Sequence, residues 1–373
     1  MCKDYPVSTP VDIAIIGGGN AGISLAAALA LHDSPLRTVV IEPSLPQQRD
    51  CSWALWANRK QSAELKFAIK GQWRRWQVIG HSGAVKHHSS TYSYISLSAA
   101  AYIEEREASL DDKIDLVREK VVSVDSDSTG GLVVTDQQSF LASHIFDSRP
   151  PKMADASLRQ HFLGWEIKTS KPIDDADIAT LMDFRVDQSR GLHFIYVLPF
   201  SDQHLLIEST LISSSLEDKQ WYRDALNQWL SEREIKIEST VMEEYGVIPM
   251  DVVQAQQYST PTIGASSGAV RRSSGYAFNH IQQQTRELAA GIAKGNFDVP
   301  LAISNKLIAM DTIFNGVLAN NPHLGPELFI RTAKALNGDQ FARFMLGKAN
   351  LWDWLRVIFA MPKIPFIRQL FRG

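Results

Sequence analysis

A chain of 373 residues can hold two domains, or one large α/β domain with an insertion. Its 45% hydrophobic and 21% charged residues are ordinary for a globular protein, and a net charge of −3 gives no basic field for nucleic acid. Two cysteines, Cys2 and Cys51, exclude a disulfide framework, and no Cys/His spacing offers a metal site.

The opening "MCKDYPVSTP" lacks the basic-then-apolar profile of a signal peptide. No stretch has the roughly 18 uninterrupted apolar residues of a membrane span. The expectation is a cytoplasmic protein that does not cross a bilayer but can lie against one.

"VDIAIIGGGNAGISLAAALAL" begins with a β-branched run at 11–16, read as a buried parallel strand. Gly17, Gly19 and Gly22 follow in GxGxxG spacing, then an Ala/Leu-rich helix. Gly17 permits the turn, Gly19 lets backbone approach a pyrophosphate, and Gly22 lets helix and strand pack closely. The helix start offers free N–H groups and a positive dipole end to phosphates. A second strand, "RTVVIEP", ends in Glu42, about twenty residues beyond the last glycine, where an acid takes the ribose hydroxyls. The alternative is an ordinary glycine turn. The N-terminal position and the lack of a second GxGxxG favour FAD over NAD.

Trp53, Trp56, Trp73 and Trp76 crowd the next stretch. Packing under a loop accounts for at least two of them, and a flavin or apolar substrate is the alternative for the rest. The spacing in "YISLSAAAYIEEREAS" (94–109) predicts a helix. "DLVREKVVSVDS" and "GLVVTDQQSF" read as two strands joined by a turn at Ser126–Gly131, and "ASHIFDSRPP" as a further strand ending at Asp147. In two-dinucleotide flavoprotein folds such a strand returns to the first sheet and ends near the cofactor.

From Leu163 the pattern becomes antiparallel β: "GWEIKTS", "TLMDFRV", "LHFIYVLPFS" and "HLLIESTLISS". A hairpin is predicted on Ser201–Gln203. An amphipathic helix follows at 216–234, then the strand "IKIESTVMEEYGVIPM". "PTIGASSGAVRRSSGYAF" returns to a glycine-rich loop before a long helix, a second phosphate- or flavin-facing helix start, with a plain β–α connection as the alternative. Residues 301–373 read as mostly helical.

Glu208 lies inside the apolar run "HLLIESTLI". One explanation is a strand with one wet face. The other is an acid kept neutral in an apolar pocket, since a buried unpaired charge costs several kcal/mol. On a strand its same-face neighbours are Leu206 and Thr210, which weighs against a wet face.

"LMDFRVDQ", "FIYVLPFSDQHLLIESTLIS", "EEYGVIPM" and "SSGYAF" occur in an order and spacing that resemble the lycopene cyclases, flavoprotein carotenoid cyclases of bacteria and plants. "CSW" at 51–53, "GWEI" at 164–167 and the tail "GDQFARFMLGKANLWDWLRVIFAMPKIPF" extend the resemblance over nearly the whole chain. It implies an α/β, glutathione-reductase-like (Rossmann-type) FAD-binding fold, an antiparallel β substrate domain and a helical C-terminal region. The corresponding division is 1–75, 114–150 and 255–300 for FAD, 76–113 and 151–254 for substrate, and 301–373 for the C-terminal helices.

The resemblance implies a non-redox cyclisation of a hydrophobic polyene by an enzyme whose FAD is kept reduced, with NAD(P)H as reductant. The family's acidic motif falls on Glu208. Gly17, Gly19, Gly22 and Glu42 match its cofactor positions, with Asp147, Gly264, Gly268 and Gly275 as further cofactor candidates. Trp165, Tyr196 and Tyr276 are candidate substrate-facing aromatics, each with core packing as the alternative, and Glu244 is a second candidate acid or base.

Several positions depart from the family pattern. "CSW" replaces the common "HTW", Arg272 stands where Pro is usual, and Asp251 and Val252 replace glycines after "IPM". The glycine loop is closer to the general flavoprotein form. One rival is a flavin monooxygenase or halogenase, but "TIGASSG" lacks the usual Gly-Asp pair and "GWEI" lacks the second Trp; a cyclase of a different polyene or isoprenoid and a non-enzymatic binding module are the others. The last segment mixes Trp, Phe and Ile with Arg356, Lys363, Arg368 and Arg372, the composition of a helix lying in the inner face of a membrane.

Overall fold

The computed structural model describes residues 10–127, 130–151, 158–250 and 260–371. In chain order, β1 (Val11–Ile16) and α1 (Asn20–Leu31) precede β2 (Thr38–Ile41), β3 (Ser52–Asn58), α2 (Arg59–Glu64) and β4 (Ile69–Trp73). Then come β5 (Arg75–Gly80), β6 (Gly83–His88), β7 (Tyr92–Ser98) and α3 (Ala99–Ala108). β8 (Ile114–Val117), β9 (Val121–Asp127), β10 (Gly130–Thr135) and β11 (Ser139–Asp147) follow. The second half holds β12 (Arg159–Thr169), β13 (Ile178–Asp183), β14 (Leu192–Pro199), β15 (His204–Ser213), α4 (Lys219–Glu232) and β16 (Ile237–Pro249). It ends in α5 (Phe278–Ile292), α6 (Asn305–Asn320), α7 (Gly325–Ala335), α8 (Gly338–Met345), α9 (Leu351–Ala360) and α10 (Lys363–Leu370).

Among the described residues the main strands form three sheets. The first has the order β8-β2-β1-β11-β10-β9, with β8, β2, β1 and β11 parallel and β11, β10 and β9 an antiparallel meander. β1 is apolar throughout its second half because both its faces are covered: Ile13, Ala14, Ile15 and Ile16 are all buried. α1 packs Leu25 and Leu29 into the same cluster as Leu288 and Ile292 of α5. Each fully buried Leu or Ile contributes roughly 1.5–3 kcal/mol.

The second sheet runs β16-β12-β15-β14-β13-β5-β6 and is antiparallel except between β13 and β5. Its period-2 side-chain alternation separates two cores. Leu205, Ile207 and Leu211 of β15 pack against Tyr222, Leu226 and Trp229 of α4, while Leu206 and Ile212 join a different cluster with residues of α6 to α9. The third sheet, β3-β7-β4, sits beside them.

The predicted hairpin is present: Phe200 N–H and Ser201 N–H both donate to His204 O. Three readings of local structure are corrected. The helix expected from 94 begins only at Ala99, because "YSYISLS" alternates and pairs with β3 and β4; Ser98 then caps α3, accepting from Ala101 N at 3.1 Å. The single strand expected at 115–126 is two, since β8 pairs in parallel with β2 and β9 antiparallel with β10. The strand expected at 131–140 turns back at Thr135–Gln138, and its last residues open β11. Asp251 and Val252 lie outside the described residues, as do Cys2, Arg372 and the start of the 255–300 segment.

Candidate active site

Four neighbouring strands of the second sheet put one row of residues side by side. Tyr196 of β14 faces Glu208 of β15, Glu208 faces Gly164 of β12, and Gly164 faces Glu244 of β16. The glycine leaves the space into which both carboxyls lean. A Cβ at residue 164 would lie 2.8 Å from Glu208 Cγ and 3.3 Å from Glu244 Cγ. Both carboxylic acids are buried, Glu208 at 9% and Glu244 at 8% exposure. Leu206 and Ile212 on the same face are buried too, so this face of the strand is dry.

Burial raises the Glu208 carboxyl well above the ordinary carboxylate range, and the neighbouring Glu244 raises it further. Burial raises Glu244 as well, but Ser52, Lys70 and a hydrogen bond from Glu208 pull it back. Ser52 N–H donates to Glu244 Oε2 at 3.1 Å, and the Lys70 ammonium lies nearby. Lys70 Nζ donates to Ser52 Oγ at 3.3 Å and pairs with Glu166, whose other oxygen is 2.8 Å from His204 Nε2. Both carboxyls are raised, and the donors around Glu244 favour the proton on Glu208 over Glu244.

A cavity of about 380 Å³ opens on Glu208. Its wall includes Tyr94, Tyr196 and Tyr276, with Trp53 and Phe278 alongside. Tyr94 OH is hydrogen-bonded to Tyr196 OH at 2.8 Å and to Tyr276 OH at 2.9 Å. Burial raises all three phenols well above their usual range, so they stay neutral. Trp56 packs on Tyr94 and Tyr276 with ring centroids 4.6 and 5.0 Å away. The Glu208 face is thus an aromatic box with one neutral acid, suited to a developing cation. Of the four tryptophans, Trp56, Trp73 and Trp76 are core, and Trp53 lines the cavity.

The same cavity reaches Asn20, the first residue of α1, and Ala265 and Gly275 of the loop before α5. Gly17 has φ +89°, and a Cβ on Gly22 would lie 1.9 Å from Gly17 O, so the loop and helix touch as backbone alone. Gly19 stands at the N-cap of α1, where an added Cβ would meet open space. Gly18 N–H and Ser44 N–H donate to the Glu42 carboxylate at 2.9 Å each, and Arg49 lies 3.3 Å from it. Thr210 Oγ1, in the cavity wall, is buried without a hydrogen-bond partner. A glycine cradle at a helix start, leading into a cavity with an unpaired polar atom, fits a dinucleotide whose ring system lies along that cavity.

Other candidates stand elsewhere. Trp165 points to the opposite face of the sheet, against the α4 cluster, and donates to Glu243 at 2.9 Å. Asp147 ends β11, but its carboxylate is held by Arg149 through contacts of 2.6 to 3.1 Å. Gly264 packs on α1, where a Cβ would lie 2.6 Å from Ala21 Cβ; its N–H donates to Gln284. Gly268 is the left-handed residue after the 264–267 turn. Arg272 donates to Thr312 at 3.2 Å, tying the loop to α6. Tyr94, Ser52, Lys70 and Gly164 were not singled out from sequence. Tyr94 falls in the stretch read as helix, and the other three act only through partners distant in the chain.

The family model described as lycopene cyclase protein matches residues 12–371. The chain belongs to the lycopene cyclase family. Family relatives include the lycopene beta-cyclase of Pantoea ananas, 25% identical over 57% of this chain and 58% of the relative. The Pseudescherichia vulneris lycopene beta-cyclase is 23% identical over 97% of this chain and 90% of the relative. In the Paracoccus lycopene beta-cyclase, 24% identical over 55% of this chain, the match likewise spans only 57% of the relative's length.

Among solved structures, a geranylgeranyl bacteriochlorophyll reductase-like protein of Thermoplasma acidophilum superimposes with a TM-score of 0.64 at 13% identity, covering 97% of this chain and 99% of that one. Klebsiella pneumoniae HpxO, solved with FAD, gives 0.58 at 13% identity over 91% and 98%. A flavin-dependent brominase gives 0.55 at 12% identity over 94% of each chain. These likenesses establish the α/β, Rossmann-type FAD-binding fold read from the glycine loop.

Proposed function

We propose that the protein cyclises the ends of a linear carotene to β-ionone rings, turning lycopene into β-carotene, an isomerisation with no net redox change. The observation that carries this reading is the buried Glu208–Glu244 pair, with Glu208 in the wall of an aromatic cavity that reaches Asn20 beside the glycine cradle. The named activity of the family's relatives supports it.

Glu208 delivers its proton to a terminal C=C of the polyene. The neighbouring double bond attacks the resulting cation and closes the ring. A ring proton then leaves to Glu244, the carboxylate that Ser52 and Lys70 favour in its charged form. The pair returns to its starting state when that proton passes from Glu244 to Glu208, so atoms and charge balance over the cycle. The faces of Tyr94, Tyr196 and Tyr276 stabilise the cation without trapping it, since neutral phenols are poor nucleophiles.

The loop of Gly17, Gly19 and Gly22, with Glu42, would hold FAD, which in its reduced form would supply negative charge to offset the cation. NAD(P)H is the reductant we assign to it. In this reading the exposed apolar face of α9 and α10, with Arg356, Lys363 and Arg368, rests on the inner face of the cytoplasmic membrane. No helix among the described residues is long and apolar enough to cross it.

The test is anaerobic incubation of the reduced, FAD-loaded protein with lycopene. β-Carotene is the expected product. An oxygenated product under air points instead to a monooxygenase, and turnover confined to a different polyene moves the substrate but not the chemistry.

A further inference from the structure

A second cavity, also of about 380 Å³, lies beneath the C-terminal helices. Ile313 and Phe314 of α6, Phe329 of α7, Phe344 of α8, Val357 of α9 and Ile367 of α10 are part of its wall. Its ionic groups already have partners: Lys363 Nζ donates to the carbonyls of Ile358 and Phe359 at the end of α9. Arg271 pairs with Asp311 at 3.3 Å and donates to Met345 O at 3.0 Å, and Ser273 Oγ donates to Asp311 at 2.7 Å. Thr332 Oγ1 donates to its own helix, at Leu328 O. Among the described residues Ser274 Oγ is the one buried polar side-chain atom of this wall without a partner, so the wall offers a ligand mainly dispersion and burial and suits a hydrocarbon.

Leu181, Met182, Ser274 and Tyr276 face both this cavity and the one at Glu208. The two spaces therefore adjoin, with these four residues between them. One of them, Tyr276, belongs to the aromatic box. At the other end Ile358, Ile367 and Leu370 line the cavity while being largely exposed outside. They share the surface with Trp352 and Phe359, which are 72% and 75% exposed. The far cavity thus runs from the reacting box toward the apolar outer face of the C-terminal helices.

We propose that this cavity holds the unreacted arm of the linear polyene while its near end is cyclised at Glu208, and that the polyene arrives through the mouth between α9 and α10. The assignment rests on the cyclase reading above. A polyene is long and narrow, whereas the Glu208 cavity has a volume of about 380 Å³ and also borders Asn20 at the start of α1. The remainder of the chain needs a dry channel, and this one begins at the box and ends where a membrane's hydrocarbon would lie. The loop that carries Tyr276 forms the junction. Arg271 N–H donates to Tyr276 O at 2.9 Å, and the same residue's guanidinium ties the loop to α6 and α8.

The experiment compares two substrates: lycopene, and a shorter linear polyene with the same end group and a truncated arm. Reduced, FAD-loaded wild type, Ile313→Trp and Met310→Trp, the second at another wall residue on α6, are assayed anaerobically, with flavin absorbance certifying that each variant is folded and loaded. Filling the cavity is expected to lower kcat/KM for lycopene by about tenfold or more and to change the short substrate by less than about twofold. Equal loss on both substrates, or none on either, overturns the proposal. A phospholipid acyl chain retained in the cavity, with lycopene turnover unaffected by the fillings, overturns it too. Wild type inactive on both substrates removes the cyclase reading itself, a result separable from the others because no variant is needed to see it.

Discussion

On the face of the seven-stranded sheet covered by α4, Glu243 accepts from Arg223 at 2.6 and 2.9 Å and from Trp165 at 2.9 Å, and these donors hold it down to about 2. One residue along the same strand, Glu244 points to the other face, where burial raises it and Glu208 shares its space. Adjacent carboxylates on one backbone are pushed in opposite directions because strand geometry sends them into opposite environments. The α4 face also keeps His161 and His193 buried, hydrogen-bonded and pushed down to about 4, the signature of histidines used neutral in a core. One face holds the sheet together. The other, in the proposed reaction, would supply a proton.

The largest break in that contrast is Glu208→Gln, which keeps the shape and removes the acid. Cyclisation is expected to fall by about 10²–10⁴-fold with FAD binding intact, measured as β-carotene formed anaerobically. Gly164→Ala comes next. Its Cβ would lie 2.8 Å from Glu208 Cγ, so the acid must move, and a misplacement on the order of 1 Å costs about 10²-fold in kcat. A bulk-tolerant result there would mean that the carboxyl is free to wander.

Lys70→Met sharpens the split between the two acids. Without the ammonium, Glu244 holds its proton to higher pH, so the acidic limb of the pH–rate profile moves upward while the alkaline limb, set by Glu208, stays in place. Lys70→Arg restores the profile if charge is what matters. Stability carries the same sign. Glu208's folded pKa is raised, so its contribution is full below the unfolded carboxylate value of about 4.3 and is lost as pH rises through the folded value. Wild type should therefore lose denaturant resistance on that rise relative to Glu208→Gln.

Glu243→Gln, on the opposite face, is the smallest perturbation. Turnover should be unchanged. Its pKa is depressed, so its stabilisation is present above the ordinary carboxylate range and is lost as pH falls toward about 2. Thermal melts of the two proteins should differ at neutral pH and converge in strong acid.

The glycine loop, β1, α1 and the Glu208 hairpin were legible because each is a local pattern: a GxGxxG between a strand and a helix, and an apolar strand interrupted by one acid. Tyr94 was hidden by a run of small residues that blurs strand into helix, since "YISLSAAAY" carries both periods and only pairing with β3 decides. Gly164 was visible as part of "GWEI", but its purpose depends on a register joining three strands. Lys70 and Ser52 matter through partners about a hundred or more residues away in sequence. The faces of the aromatic candidates were likewise undecided until the sheet was assembled, which put Tyr196 beside the acid and Trp165 behind it.

Glu208 is expected to stand protonated in its apolar box near neutral pH. Infrared difference spectra of the FAD-loaded protein, recorded as pH is raised from neutrality, report on that proton. Wild type should show a protonated-carboxyl C=O band that shifts in D₂O, fades on alkalinisation and is missing from Glu208→Gln. A Glu208 found as carboxylate at neutral pH, with cyclisation still running, would contradict it.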